Sequence, residues 1–358
     1  MALGLVIGTE AGPDPDLSAA AEVVVEEGMM APTRYSVVYS ADIEGDDLPL
    51  LTDDRLGPDA KLSVTVAGPD EAVCLVSGPV HGQFIRLVHS GEGSSVEVRG
   101  ADRSVEMDAE TKATVFADGA DSDAVTMILA GAGFVPDVEV TGGRHVEAKH
   151  ALVQRATDLA FVTQLARRNG ASFWVRCDAA GVETAYFKRP ATDQDPAATL
   201  TINSEPPSVT EVLIEWDTAA PSAAVVGGLD PATKAVLTGD VTASPLTPLG
   251  SDDLAGLQPT QRSMHFAPAA DDAGDLTARA EGALIEAGWF VRATCKTSVA
   301  ACGAVIRPHQ VVALSGAGAR FSGNWYVGAV THRIDAEAHR MDLTLLRNAW
   351  GSDGLSII

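Results

Sequence analysis

Two distant stretches of the sequence decide the fold: LGPDAKLSVTVAGPDEAVCLVSGPVHGQFIRLVHSGEGSSVEVRGAD at residues 56–102 and IRPHQVVALSGAGARFSGNWYVGAVTHRIDAEAHRMDLTLLRNA at residues 306–349. Each begins in a turn that contains proline and ends in a strand in which apolar and polar residues alternate. Such alternation is typical of a strand with one buried face. The likeness predicts two copies of one β unit in a single chain, although any two antiparallel β units share turns and alternation.

The two segments share their features in the same order. These are the proline turn (Pro58; Pro308), the glycine that closes the first strand (Gly68; Gly316), a Ser-Gly pair expected to start a further strand (Ser77 and Gly78; Ser322 and Gly323) and the alternating last strand (Val96, Val98; Leu343, Leu345). A ring of three such chains presents six similar units, so it can match a six-fold ring stacked on it. A symmetry adaptor needs this property and needs no catalytic residue.

The first hundred residues add further strand patterns. Between Glu22 and about Gly100, β-branched or alternating runs are separated by Gly, Pro and Asp turns; they cover residues 23–25, 35–39, 62–66 and 95–98. Strands with one apolar face predict an antiparallel sheet or barrel. We therefore expect an α+β fold that is mainly β, with a first β-barrel domain at residues 1–114.

The hydrophobic period changes after this domain. Ser122 is expected to cap a helix over 123–130 that ends at Gly131 and Gly133, and a second helix is predicted over 158–169, stopped by Gly170. A hairpin with strands at 172–176 and 184–188 follows. These elements predict an α/β insertion module at residues 115–190.

The last part of the chain is predicted to form a second β-barrel domain at residues 191–358. Its expected parts are a linker at 189–206, a strand at 212–216, long loops over 218–275, an Ala-rich helix from Asp275 to about Ala287 and strands from Val311 to Leu346. Both barrels are expected to be related.

Composition excludes several classes of protein. The chain has 358 residues, 46% of them hydrophobic, and a formal net charge of -24. Nucleic-acid binding requires clustered Lys and Arg, so we expect no nucleic-acid specificity. Anionic membranes are disfavoured by the same charge, and no apolar stretch is long enough to span a bilayer, so no direct membrane anchor is expected. The acidity has two readings, a salt-adapted or GC-rich source or a functional role.

The cysteines and the N-terminus favour a cytoplasmic origin. Cys74, Cys177, Cys295 and Cys302 are scattered without a CxxC pair, which suits a reducing compartment, with one fortuitous disulfide left open. The first residues lack the basic region and the long apolar run of a signal peptide. We expect assembly in a bacterial or host cytoplasm.

No motif for catalysis or cofactor binding is present. The sequence lacks a phosphate-binding loop, an HExxH pair and a GxSxG elbow. The glycines at 315–318 are expected to form a turn. His145 and His150 have no adjacent third ligand and are predicted to be solvated. No catalytic, cofactor or metal residue is therefore predicted, and the protein is expected not to be an enzyme.

Carboxylates and tryptophans also have structural explanations. Asp271, Asp272 and Asp275 precede the Ala-rich helix, where capping explains them. A second group is expected to lie in turns beside strands: Asp46, Asp47, Asp53 and Asp54. Three tryptophans are expected to be core residues or subunit contacts rather than a sugar platform: Trp174, Trp216 and Trp325.

One segment resembles a known family. ALVQRATDLAFVTQLARRNGASFWVRCDAAGVETAYFKRP at residues 151–190 resembles the late control D family of phage tail proteins, which includes the hub part of VgrG-type spikes and gpD-like hubs of contractile injection systems. The matching positions are Gln154, Asp158, Leu159, Phe161, Leu165, Ala166, Gly170, Phe173, Trp174 and Val175. Further matches are VRGADRS at 98–104, VLIEWD at 212–217 and, near the C-terminus, Gly323, Tyr326, Val327, His332, Arg347 and Asn348.

The resemblance implies a structural baseplate hub of a contractile phage tail or phage-like injection system. Such a hub is a homotrimer that joins a six-fold inner tube, or its initiator, to a three-fold spike, contacts other baseplate (wedge) proteins and forms a conduit. VgrG-type chains continue into a needle, whereas this chain stops at Ile358, so a separate spike protein is expected. Carboxylates lining the channel are expected to repel cargo from the wall. The alternatives are a tail-associated cell-wall hydrolase and a carbohydrate- or protein-binding β module.

Overall fold

The computed structural model describes residues 4–41, 49–58, 60–89, 91–230, 233–268, 270 and 272–351. In this part the chain is mainly β, built around one large, mostly antiparallel sheet of 13 strands. The α+β class, mainly β, is confirmed. No pairing among the described residues closes the sheet, so the two barrels and the three predicted domains stay predictions.

The N-terminal region is formed by seven strands. They are β1 (Val6–Thr9), β2 (Gly12–Asp14), β3 (Glu22–Gly28), β4 (Ala31–Ser40), β5 (Lys61–Ala67), β6 (Ala72–Arg86) and β7 (Ser95–Ala101). Short 3-10 helices occur at Leu17–Ala19, Pro49–Leu51, Asp54–Leu56 and Arg103–Asp108. All four strand patterns predicted here lie in β3, β4, β5 and β7.

The middle region is a small α/β module. Its elements are β8 (Thr114–Phe116), β9 (Gly119–Ala120), α1 (Asp121–Gly131), β10 (Val135–Val138), β11 (Arg144–His145), α2 (Glu147–His150), β12 (Leu152–Gln154), α3 (Asp158–Asn169), β13 (Ser172–Cys177) and β14 (Glu183–Lys188). The second predicted helix and the hairpin are confirmed, and Gly170 ends α3 in the left-handed conformation with φ 66°.

The cap of α1 differs from the prediction. Ser122 lies inside the helix, and the Asp123 side chain accepts a hydrogen bond from the Ala120 backbone N–H at 2.8 Å. A carboxylate three residues into a helix can reach back in this way, so the helix begins two residues earlier than a Ser cap would place it.

The C-terminal region completes the sheet. Its elements are β15 (Thr199–Thr201), β16 (Val212–Trp216), β17 (Ala223–Leu229), β18 (Val236–Thr238), β19 (Asp252–Asp253), α4 (Leu254–Leu257), β20 (Ser263–Phe266), α5 (Ala273–Ala287), β21 (Val291–Ser298), α6 (Val299–Cys302), β22 (Val311–Ser315), α7 (Gly318–Phe321), β23 (Gly323–Asp335), β24 (His339–Arg347) and β25 (Ala349–Trp350).

The prediction of long loops over 218–275 is wrong. β17, β18 and β20 form a three-stranded sheet in this segment, and it packs on α5 through Ala224, Val226 and Leu276. The strands are short and are embedded among Ala, Gly and Pro. Their apolar residues are buried by a helix from later in the sequence, which a local pattern cannot show.

The order of strands in the large sheet is β16-β21-β24-β23-β3-β4-β7-β6-β5-β1-β2. β22 pairs with β23, and β15 extends the sheet from β22. The antiparallel pair β23–β3 joins the C-terminal strands to the N-terminal ones. Two cores lie against this sheet, one containing Val37 and Val64, the other Trp325 and Leu345.

The two similar sequence segments fold in the same way. Each forms a three-stranded antiparallel meander, β5–β6–β7 in the first and β22–β23–β24 in the second. In both, the middle strand pairs with the first strand and then with the third. A bulge follows each change of partner, at His81 in β6 and at Gly328 in β23. This shared irregularity supports a common unit.

The two Ser-Gly pairs do not occupy equivalent places. Gly323 starts β23 as predicted, whereas Gly78 lies inside β6. A Cβ at Gly78 would lie 1.9 Å from the carbonyl oxygen of Ala101, so this position requires glycine because another strand crosses it closely. The glycine is explained by a contact distant in sequence and not by a strand start.

Candidate assembly surfaces and the buried junction

Eight adjacent strands form a layer with one open face. The layer runs β16-β21-β24-β23-β3-β4-β7-β6, and the residues that point away from the cores alternate with the buried ones. The charged residues of the open face are Arg34, Arg86, Arg99, Arg292, Lys296, Arg333 and Arg340 with Glu22, Glu26, Glu97, Glu215, Asp335 and Asp342. Seven basic side chains thus stand against six acidic ones on this face, in a chain of net charge -24.

Within the described part of the chain, both ends of this layer are free strand edges. There, β16 is paired only with β21. β5 pairs with the earlier half of β6, and residues 81–86 of β6 are paired only with β7. Each edge exposes large apolar side chains: Leu213 (62%) and Trp216 (52%) on β16, Phe84 (55%) and Ile85 (42%) on β6, and Leu87 (60%) directly after β6. Free edges with apolar side chains are sites where another strand can pair.

A buried charged cluster lies where the two repeats meet. Glu27 on β3 accepts hydrogen bonds from Arg307 Nη2 at 2.8 Å and contacts His332 Nε2 at 3.0 Å. His332 Nδ1 in turn lies 2.9 Å from His339 Nε2. Arg307 also donates to the backbone carbonyls of Cys74 and Leu75, both at 2.8 Å. One guanidinium thus connects β3 and β6 to the second repeat.

The electrostatics of this cluster follow from burial. Burial by itself raises the pKa of Glu27, but the charge of Arg307 and the hydrogen bond of His332 lower it to about 2. Burial and the neighbouring His332 lower the pKa of His339 to about 3. Burial and the nearby arginines hold the pKa of His309 well below its usual value. The carboxylate is therefore charged, and His309 and His339 are neutral, near pH 7.

The α/β module is attached at the same place. A disulfide joins Cys74 of β6 to Cys177 of β13, and both sulfurs belong to buried residues. Arg176 donates to the Pro308 carbonyl at 2.6 Å, and burial lowers its pKa to about 10. The single disulfide that the sequence left open is thus the Cys74–Cys177 bond, and Cys295 and Cys302 are free.

The tryptophans fall into two groups. Trp325 is fully buried in the second core, and Trp174 stacks on His309 with ring centroids 3.6 Å apart. Trp216 is half-exposed and lies 4.9 Å from Trp350, ring to ring. The core assignment is confirmed for Trp325, whereas Trp174 is half-buried in β13 and Trp216 is a surface residue at the β16 edge.

The predicted carboxylate roles are partly visible. The Asp272 side chain accepts from the Asp275 backbone N–H at 2.8 Å and caps α5, as expected. Asp53 caps the 3-10 helix that starts at Asp54. Asp46, Asp47 and Asp271 lie outside the described residues.

His145 was predicted to be solvated, and this is wrong. Its side chain is buried and contacts Asp121 at 2.8 Å and Arg168 at 2.6 Å, while His150 is exposed on α2. No group of three metal-ligating side chains occurs among the described residues, and no helix in that part is long and apolar enough to cross a membrane.

The fold is that of phage tail proteins. The 43 kDa tail protein of prophage MuSo2 from Shewanella oneidensis matches with TM-score 0.69 and 11% identity over 96% of this chain and 98% of its own. A tail protein from Neisseria meningitidis MC58 gives TM-score 0.68 and 13% identity over 97% of both chains. The E. coli c3393 protein, described as a component of the type VI secretion system, gives 0.57 and 13% over 92% of this chain and 73% of its own.

A family model described as the Alg8 N-terminal domain matches residues 20–336, and the chain belongs to that family. Its name differs from that of the late control D family that the sequence resembles. No curated protein matches the sequence.

Proposed function

We propose that the protein is a structural baseplate hub of a contractile phage tail or injection system, a homotrimer that joins a six-fold tube to a three-fold spike. The observation that carries the proposal is the arrangement of two equivalent four-strand units, β16-β21-β24-β23 and β3-β4-β7-β6, side by side in one layer. Three chains would then present six equivalent units to the tube. The late control D resemblance and the fold of tail proteins support the same function.

The open face of the layer is the candidate lining of the conduit. It is continuous across both repeats, and its charged residues are of both signs. An acidic lining that repels cargo is therefore not part of the proposal, because the excess of carboxylates that gives the chain its net charge of -24 lies outside this face. Thr and Ser side chains lie between the charged residues, so the wall is hydrated and binds neither positively nor negatively charged cargo strongly.

The proposal is tested by the mass of the full chain in solution and by electron microscopy of the particle that contains it. A mass of three chains and ring density beneath the tube are expected. A stable monomer at micromolar concentration, with no ring in the particle, would count against the hub.

A further inference from the structure

Within one chain the two four-strand units are joined by a pair of strands, and a second pair of the same kind is expected between chains. β23 ends the second four-strand unit and pairs antiparallel with β3, which begins the first unit. The shared meander makes β23 equivalent to β6, and the order of strands makes β3 equivalent to β16. The equivalent of the β23–β3 joint is therefore a pair between β6 and a β16 that belongs to another copy.

The bulges set the register on the side of β6. The bulged residue is Gly328 in β23 and His81 in β6, so these two positions are equivalent. Counting onward from each bulge, His332 corresponds to Ile85 and Ile334 to Leu87.

The strand ladders set the register on the side of β16. Leu213 is connected to Thr344 through Thr294, as Val24 is connected to Arg99 through Ser36. Leu213 therefore corresponds to Val24, and the next residue, Ile214, corresponds to Val25.

Inside the chain, His332 lies opposite Val25. The equivalent pair between copies is Ile85 opposite Ile214.

Burial distinguishes the joined edge from the free one. His332 and Ile334 are 0% and 2% exposed because β3 covers them, whereas Ile85 and Leu87, at the equivalent positions, are 42% and 60% exposed. Trp216 stands where β3 carries the buried Glu27 and is 52% exposed. Positions that face the core in one repeat thus carry uncovered apolar side chains in the other, and pairing with another copy would bury them.

We propose that β6 of one copy pairs antiparallel with β16 of the next, with Ile85 opposite Ile214, and that the contact closes after three copies. This rests on the proposed trimer and assigns its interface. Each copy supplies one edge of each kind, so the contact is head-to-tail and a ring satisfies every edge. The occupant of both edges is a second copy of this chain.

The test is a cysteine cross-link in the full-length chain with Cys302→Ser, which removes the half-exposed thiol. Directly opposed residues in an antiparallel pair have Cα atoms about 4.5–5.5 Å apart, within the range of a disulfide. With Ile85→Cys and Ile214→Cys together, oxidised glutathione is expected to give denaturation-resistant species of two and three chain masses and none larger. Each single variant should stay one chain mass.

A register control uses Ile85→Cys with Val212→Cys, two residues out of register. Its yield of covalent trimer is expected to be at least tenfold lower. A trimer in solution without the Ile85–Ile214 cross-link, or with a better cross-link at Val212, would overturn this interface and leave the hub proposal standing. Covalent species larger than three chains would overturn the closure, and a monomer in solution would overturn both proposals.

A second variant separates the interface from folding. Ile85→Glu is expected to shift the chain from trimer to monomer at concentrations where the parent is trimeric. The circular dichroism spectrum and the melting temperature of the variant monomer should equal those of the parent diluted to a monomer. The matched control is Val140→Glu, an 84% exposed valine far from both edges in sequence, which should stay trimeric. A trimeric Ile85→Glu variant would contradict the proposal.

Discussion

The two repeats have the same meander but differ in what pairs with the outer edge of the middle strand, β6 in the first and β23 in the second. In the second repeat, residues 329–335 of β23 are paired with β3, and a buried carboxylate, arginine and histidines stabilise the joint. In the first, the equivalent part of β6 is free and carries apolar residues.

Physical chemistry explains the difference. A buried ion pair tolerates no missing partner, whereas an apolar edge can remain in water until another chain covers it. The inner joint is therefore suited to folding with the chain, and the outer edge to assembly afterwards.

The largest effect is expected at the inner joint. Arg307→Met leaves Glu27 buried without its cation and removes the hydrogen bonds to two backbone carbonyls of β6. Removing one partner of a buried pair costs about 3–5 kcal/mol, and that loss in the free energy of unfolding should appear in chemical denaturation.

Arg340→Ala, at an exposed pair with Asp335, is the control and should change the free energy of unfolding by about 0–1 kcal/mol. Equal effects of the two variants would show that the inner joint does not depend on its charges.

The next effect concerns the disulfide that ties the α/β module to β6. The Cys74→Ala and Cys177→Ala double variant should lose about 2–5 kcal/mol, because the bond closes a loop of 103 residues in the unfolded chain. Thermal unfolding of the parent with and without a reductant should give a similar loss without any substitution.

Cys302→Ser serves as the matched control and should melt as the parent does in both conditions. If reduced and oxidised parent melt at the same temperature, the bond contributes nothing to the attachment of the module.

Acid should weaken the same joint. The pKa of His339 is about 3 in the folded chain and near 6.5 when unfolded, so the unfolded state binds the extra proton. Its contribution to stability is full above pH 6.5 and is lost as the pH falls towards 3, with a slope of at most about 1.4 kcal/mol per pH unit.

His339→Gln is expected to flatten this part of the profile, measured by denaturation at successive pH values. Below about pH 4.5, protonation of Glu27 adds a second loss, which continues towards its folded pKa of about 2. A profile that stays flat from pH 6.5 to 4.5 in the parent would contradict the assignment of His339 as buried and neutral.

The smallest effect on folding should come from the outer edge. Ile85→Ser removes an exposed side chain, so the free energy of unfolding of the isolated chain should change by under about 0.5 kcal/mol. His332→Ser, at the equivalent position of the second repeat, removes a fully buried contact of Glu27 and should cost several times more. Similar losses at the two positions would contradict the contrast between the joints.

Much of the fold could be predicted from local pattern. The alternation in β5 and β22, the apolar stripe of α3 and the glycine that ends it are local signals, and the structure places the elements there. The sheet over 218–275 could not be predicted, because its short apolar runs become a core only against α5.

The candidate surfaces were partly visible in the sequence. The repeat could be read from turns and alternation, but not which of its edges stays free, since that depends on β3 reaching β23. Glu27 and Arg307 gave no signal, and His332 appeared only as a position of the family resemblance. These residues are separated by up to 305 positions and meet only in the folded chain.

The sequence by itself determined the mainly β class, the two related units and the helices of the inserted module, because the period of apolar residues and the turn residues are properties of neighbouring positions. Only the tertiary structure decided that the units share one sheet, that Cys74 meets Cys177, and that one strand edge is joined while its equivalent is free. Pairing between distant strands depends on which segments close on each other, and no local pattern encodes that choice.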